Sequence, residues 1–213
     1  MSVFNKGEAL PKQVIIDCRR IVRNGFMSFN LKDWVYKTYK FPQEFIIEFK
    51  DYLDWKEMSW TQELSEDLIR EFADKVDWGK ISGNQKLSEN FILEFKNKID
   101  WERILSENLT EDLIREFKDK VDWTNISWFL DLTEDFIREF KDYVNWERIS
   151  KCQVLSEDFI REFKDYVNWE NICLYQELSE DFIREFRDKV DWKYIVERQN
   201  VSDEFILDFN DYR

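Results

Sequence analysis

Seven tryptophans recur along the chain at positions 55, 78, 101, 123, 146, 169 and 192, separated by 23, 23, 22, 23, 23 and 23 residues. A fixed period of this size marks a stacked array, in which one supersecondary element repeats and touches mainly its neighbours. The repeats are near copies. They read FPQEFIIEFKDYLDW from Phe41, LSEDLIREFADKVDW from Leu64, LSENFILEFKNKIDW from Leu87 and LTEDLIREFKDKVDW from Leu109. LTEDFIREFKDYVNW from Leu132, LSEDFIREFKDYVNW from Leu155, LSEDFIREFRDKVDW from Leu178 and a truncated VSDEFILDFNDYR from Val201 follow. A degenerate unit opens the chain, where Leu10-Pro11-Lys12-Gln13-Val14-Ile15-Ile16-Asp17 lines up on Phe41-Pro42-Gln43-Glu44-Phe45-Ile46-Ile47-Glu48, 31 residues later instead of 23. The extra length falls around Arg23 to Leu31, near Gly25, and reads as a loop or an extended helix end.

The repeat from Leu155 shows what one unit builds. Ser156 is an N-cap, Glu157 and Asp158 place negative charge on the first turn, and Leu155 can staple onto Ile160. Phe159, Ile160, Phe163 and Val167 then form an apolar stripe, which predicts a helix of about ten residues with Arg161, Glu162, Lys164 and Asp165 facing away. Val167 and Trp169 are only two apart, so the 3.6 period stops there. Asn168, which is Asp in most other repeats, is a second N-cap, and an apolar residue before it with Ile172 after it repeats the staple. Two helix starts per repeat predict a hairpin of a long and a short helix. The competing reading, Val167-Asn168-Trp169 as a strand of a parallel-sheet solenoid, lacks length and β-branched residues. No heptad survives the two-residue step, which argues against a coiled coil.

One such unit buries too little apolar surface to offset the ordering of its own backbone, so neighbours must cover its Trp, Phe and Ile faces. The expected fold is an all-α, right-handed-type α-solenoid of eight or nine stacked helical hairpins. Residues 1–40 form a variant basic N-terminal unit or cap, and 41–213 the repeats, starting at 41, 64, 87, 109, 132, 155, 178 and 201. An apolar face left open at the last repeat would allow end-to-end association.

Composition removes several functions. The chain has no histidine, which excludes His-based acid–base chemistry and the HExxH zinc sites. Cys18, Cys152 and Cys173 are an odd number without a CxxC spacing, which supports neither a disulfide framework nor a four-cysteine zinc site. No cofactor or metal is expected. The four Gly and two Pro leave no stretch that reads as a flexible linker. No apolar run has membrane-spanning length, and the start lacks the basic-then-apolar order of a signal peptide, so a cytoplasmic location is expected and the N-x-S/T matches at Asn108, Asn125 and Asn200 read as accidental.

The consensus L-S-E-D-F-I-R-E-F-K-D-K/Y-V-D/N-W-x-x-I-S-x-x-Q, nearly verbatim at Leu155 and Leu178, resembles the tandem short helical repeats of giant DNA viruses and some bacteriophages. The resemblance runs from Phe41 to Tyr212. It implies a viral protein acting on a host component, for instance by inhibiting a defence protein, and implies no activity.

Charge is uneven along the chain. Residues 1–40 carry 8 basic and 3 acidic residues, whereas the rest carry 24 basic and 43 acidic. The acidic body suggests a partner with a basic surface, or, as the alternative, a nucleic-acid mimic whose carboxylates Glu157, Asp158, Glu162 and Asp165 stand in for phosphates. Arg161 and Lys164 blunt that field. Direct nucleic-acid binding through Arg19, Arg20, Arg23 and Lys32 is opposed by the acidic body. Glu139 and Asp142 can face each other on a helix, but the same pair recurs at Glu116/Asp119, Glu162/Asp165 and Glu185/Asp188. A property of every repeat is a poor candidate for a catalytic site, and no enzyme activity is expected.

Two columns of the repeat carry more information. Gln62, Gln85, Gln153, Gln176 and Gln199 share one register, two residues before the next leading apolar residue, and suggest a hydrogen-bond ladder between repeats. The two positions before that register vary most: Trp60-Thr61, Gly83-Asn84, Trp128-Phe129, Lys151-Cys152, Leu174-Tyr175 and Glu197-Arg198. Positions that the stack requires stay constant, so this edge is where partner-specific residues can sit. Trp60, Trp128, Phe129, Leu174 and Tyr175, with Arg19, Arg20 and Arg23 of the N-terminal unit, are the candidate partner-binding residues. A third column, Ile16, Ile47, Leu93 and Leu207 where other repeats have Arg, marks an apolar patch or a packing adjustment.

Overall fold

Each repeat writes two helix starts, and the chain uses both. Ser65, Ser88, Thr133, Ser156 and Ser179 accept the amide three residues on, which serves one of the donors that a helix N-terminus leaves free. Asp54, Asp77, Asp122, Asn145 and Asn168 cap the second start in the same way, and Asp191 caps it through the amide two residues on. The computed structural model describes residues 7–24, 31 and 33–209. The chain divides into two compact units, Met1–Glu116 and Phe117–Arg213. The first contains β1 (Glu8–Ala9), α1 (Lys12–Arg23), α2 (Asp33–Thr38), β2 (Tyr39–Lys40), α3 (Gln43–Glu48), α4 (Trp55–Thr61), α5 (Glu66–Glu71), α6 (Trp78–Asn84), α7 (Glu89–Glu94), a 3-10 turn η1 (Ser106–Asn108) and α8 (Glu111–Glu116). The second contains α9 (Trp123–Phe129), α10 (Glu134–Glu139), α11 (Trp146–Cys152), α12 (Glu157–Glu162), α13 (Trp169–Tyr175), α14 (Glu180–Glu185), α15 (Trp192–Arg198) and α16 (Asp203–Phe209).

The fold is an all-α repeat solenoid, with two corrections to the sequence expectation. First, the leading helix of a repeat has six residues, not about ten, so the hairpin has two short arms. Helix α12 ends at Phe163, whose backbone leaves helical space at φ −106° and ψ 27°. The Tyr166 and Val167 amides both converge on Phe163 O, at 2.9 and 3.1 Å. Trp169 then donates its indole N–H to Lys164 O at 2.9 Å, which caps a carbonyl that a longer helix would have used. Trp55, Trp78, Trp101, Trp123 and Trp146 make the same bond five residues back. In consequence Glu139 ends α10 while Asp142 lies in the following turn, so that pair does not face across a helix.

Second, the repeat from Leu87 has no second α-helix; turns and η1 replace it. No strand forms at Val167-Asn168-Trp169. Among the described residues the only strands are β1 and β2, which pair in parallel between linkers of the first two repeats. The expected loop between Arg23 and Leu31 falls mostly outside the described residues, as does Lys32. No described helix is long and apolar enough to cross a membrane.

Within each compact unit the second helices pack directly on one another, α2 on α4 on α6 in the first and α9 on α11 on α13 on α15 in the second. Four interactions recur at the regular joints. The indole of one repeat lies against two phenylalanines of the next, as Trp146 does against Phe159 and Phe163 with centroids 6.2 and 5.0 Å apart. A serine hydroxyl accepts the N-cap amide of the next second helix, Ser59 from Asp77, Ser127 from Asn145 and Ser150 from Asn168, and Ser82 accepts Asp100 N ahead of the turns that replace that helix, all at 2.9–3.0 Å. The first-turn glutamate accepts the next leading N-cap amide, as Glu157 does from Ser179 at 2.6 Å. Arg161 bonds Glu185 of the next repeat at 2.7 Å while its guanidinium lies 5.0 Å from the Phe182 ring.

The glutamine column is the buried spine. Gln176 accepts Leu155 N at 3.0 Å and donates to Ser150 O at 3.0 Å and Gln153 O at 2.8 Å, so one side chain ties the extended linkers of two repeats. Gln62 and Gln85 do the same in the first compact unit, Gln153 and Gln199 in the second. Two of the three cysteines, Cys18 and Cys173, fill core positions in this scheme. Cys173 stands in the serine column, and burial raises its thiol pKa. Burial, then Asp17 and Glu48, pushes Cys18 up to about 11, so both thiols stay protonated and inert.

Candidate functional site

The stack consumes most polar and apolar groups of a repeat, and what it leaves over identifies the surface available to a partner. On the leading helices the charges are largely spent. Arg138 bonds Asp135 and Glu162 at 2.8 Å each, and Arg161 and Arg70 form the same network in their repeats. Of the four carboxylates considered as phosphate stand-ins, Glu157 and Glu162 are committed to neighbouring repeats. Asp158, 93% exposed, contacts Arg161, and Asp165 contacts Lys189. The acidic face is thus a lattice of ion pairs with a fringe of free carboxylate oxygens, which lowers its external field.

The second helices differ. Their sixth and seventh residues project beyond the Ser and Gln columns, and they hold most of the exposed rings. Trp60 of α4 is 39% exposed; in the second compact unit Trp128 is 37%, Phe129 63% and Tyr175 51% exposed, with Leu174 half-buried. Cys152 is exposed, and Val154, in a linker column otherwise filled by Glu63, Lys86, Asp131, Glu177 and Asn200, is 96% exposed. A groove of about 540 Å³ opens beside Tyr175, lined also by Leu174, Glu177, Arg198 and Asn200.

Cations that the sequence reading did not single out accompany these rings. Arg148 of α11 places its guanidinium 3.7 Å from the Trp128 ring centroid, the distance of face-to-face stacking. Lys151 Nζ lies 5.7 Å from the Trp128 ring and 5.2 Å from the Tyr175 ring. In the first compact unit Trp60 lies between Lys37 and Lys80, at 5.9 and 5.4 Å. The available signal was a spacing: Lys80 and Arg148 each fall 20 residues after a tryptophan of the variable column.

The N-terminal candidates separate by role. Arg19 donates through two nitrogens to Glu48 at 2.8 and 2.6 Å, which lowers the Glu48 pKa, and so serves a joint between repeats as Lys50 does with Glu71. Arg20 makes a long contact to Asp17 at 3.4 Å and is 73% exposed, and Arg23 is exposed at the end of α1. The apolar column is uneven: Ile16, Ile47 and Leu207 are at least half exposed while Leu93 is half-buried. No group of three or more Cys, Asp or Glu side chains among the described residues could hold a metal ion.

No protein family, curated protein or solved structure matches the chain.

Proposed function

We propose that the chain is a non-enzymatic repeat protein that binds another protein through the variable ends of its second helices. The observation that carries this reading is the placement of Trp60, Trp128, Phe129 and Tyr175, exposed rings at positions that the stack does not need. Large aromatics held on rigid elements are the usual energetic centres of protein interfaces. The resemblance to viral repeat arrays favours a host protein as the target, inhibited or sequestered in the host cytoplasm. The acidic leading helices would speed encounter with a partner whose overall surface is basic, an effect that salt weakens.

Capture from a host lysate with three forms of the chain tests the proposal. Trp60→Ala with Trp128→Ala is expected to abolish retention of a stoichiometric protein. Asp135→Asn with Asp158→Asn and Asp181→Asn, which neutralises the most exposed acidic column, is expected to weaken it only slightly. The reverse pattern, with capture of nucleic-acid-binding proteins only at low salt, would replace this reading by the acidic mimic.

A further inference from the structure

The molecule carries an excess of 14 negative charges, and the arginines of its leading helices sit among carboxylates. Arg148 and Lys151 do not follow that pattern. Among the described residues neither side chain forms a salt bridge or donates a hydrogen bond, and each lies instead against an aromatic ring. A guanidinium stacked on an indole keeps its N–H donors in the ring-parallel plane, pointing outward at the edge of the stack. Trp128 therefore fixes the orientation of five donors without using any of them. Lys151, between Trp128 and Tyr175, adds a second positive charge with three free donors. Beside these two cations lie Phe129, against the Trp128 ring, and Tyr175, against Lys151, and the linker that follows α11 carries the 96% exposed Val154.

We infer that the α9–α11–α13 surface docks a short acidic segment of a partner protein, one that carries apolar side chains between its carboxylates. Arg148 and Lys151 take the carboxylates; Trp128, Phe129 and Tyr175 take the apolar groups. This rests on the reading of the second-helix ends as the docking surface and adds the chemistry of what docks there. Charge complementarity selects the occupant: an incoming carboxylate can pair with these two cations without first breaking an internal ion pair, and the neighbouring rings favour an anion with apolar parts. A nucleic acid is also anionic, but its continuous charge is repelled by the acidic leading helices of the same compact unit, whereas a segment with two or three carboxylates meets the cations alone. The partner can still be basic elsewhere, since long-range steering and the local contact involve different surfaces.

Selection from a displayed library of random dodecapeptides against the intact chain tests this. The expected winners carry net negative charge with aromatic or aliphatic residues. A synthetic winner should lose roughly tenfold in affinity on Arg148→Gln, the scale of one charge-assisted hydrogen bond, and should also lose affinity on Trp128→Ala. Lys151→Gln provides an independent removal of charge if the Arg148 variant proves unstable by thermal unfolding. Neutral or basic winners that still depend on Trp128 would overturn the acidic assignment and leave the docking surface standing. Winners indifferent to all three substitutions, or no winners, would overturn both. Oligothymidylate binding abolished by Arg148→Gln, without acidic winners, would give the surface to single-stranded nucleic acid. A concentration-dependent dimer abolished by the same change would give it to a second copy of the chain.

Discussion

The repeat from Leu155 and the repeat from Leu87 have the same leading helix, cap and tryptophan, yet only the first has a second helix. Among their sequence differences, three fall in the columns that build the joint. Leu105 stands in the serine column, Asn108 stands in the glutamine column, and the residue that elsewhere separates that column from the next repeat is missing, so Leu109 follows Asn108 directly. Asparagine is one methylene shorter than glutamine. Asn108 still accepts Leu87 N at 3.0 Å and donates to Gln85 O at 2.8 Å, but Ser82 O is reached by the Leu105 backbone amide instead, at 3.1 Å. In the regular repeat that third bond comes from Gln176 to Ser150 O. The irregular repeat keeps all three ladder bonds and loses the helix. The ladder, then, is what the stack requires; the helix is what forms when a full-length side chain frees the backbone to coil.

The most severe way to break this equivalence is Gln176→Leu. It strands Leu155 N, Ser150 O and Gln153 O in a buried linker, and at about 1–3 kcal/mol for each unsatisfied group, partly relieved by relaxation, a loss of about 3–5 kcal/mol is expected. A urea denaturation curve should show it as a lower midpoint. Leucine does occupy this register natively at Leu130, and there Leu109, which opens that repeat, bonds Ser106 O at 2.9 Å within the η1 turn. A leucine without such a turn has no substitute acceptor.

Ser150→Ala is the next step down. It removes the acceptor of Asn168 N at 2.9 Å from a buried site and should cost about 1–3 kcal/mol in the same assay. The following joint already departs from the hydroxyl, because Cys173 holds that column position.

How far the sequence spoke depended on whether a residue acts within its own repeat or between repeats. Caps, staples and the apolar stripe are local, so Ser156, Asn168 and Ile160 announced two helices per unit. The glutamine register could be read as a ladder because it was constant while its neighbours changed. Helix length could not be read, since it is set by the Trp169 indole reaching back to Lys164 O, a bond that no propensity encodes. The missing helix after Trp101 escaped for a similar reason: the 22-residue spacing was visible, but its effect depends on the reach of one side chain. At the candidate site Trp60 and Trp128 were legible as outliers in a variable column. Lys151 was visible only as a member of that column and Arg148 only as a 20-residue spacing from Trp128, and among 32 basic residues three-dimensional pairing is what distinguishes a cation seated on a ring from one seated on a carboxylate.

Repairing the irregular repeat sharpens the comparison from the other side. Leu105→Ser with Asn108→Gln and one polar residue inserted before Leu109 restores the columns and the period. Ser82 O then receives the glutamine amide, the backbone at 105 is released, and a helix over 101–107 is expected. Amide hydrogen exchange should slow at positions 103–107, with little change in the urea midpoint, because the ladder bonds number the same before and after. Slowed exchange with a raised midpoint would mean that the helix, not the ladder, limits stability.

The smallest expected effect lies at the outer rim of the joint. In regular repeats the first-turn glutamate accepts the next N-cap amide closely, as Glu180 does from Ser202 at 2.7 Å, whereas at the shortened joint Glu89 receives only the Thr110 hydroxyl at 3.3 Å. The Ser202 backbone amide, then its hydroxyl and the Arg184 charge, hold the Glu180 pKa below its ordinary value of 4.5. A carboxyl whose folded pKa is depressed contributes stability that is fully present above the unfolded value and disappears as pH falls through the folded one. Glu180→Gln keeps an acceptor oxygen and removes the charge, so the variant should unfold at slightly lower urea than the native chain at neutral pH. As the medium is acidified below 4.5, the two curves should converge. A difference that persists in acid would assign the bond's value to its geometry instead of its charge, and would make the close and loose joints equivalent in electrostatic terms.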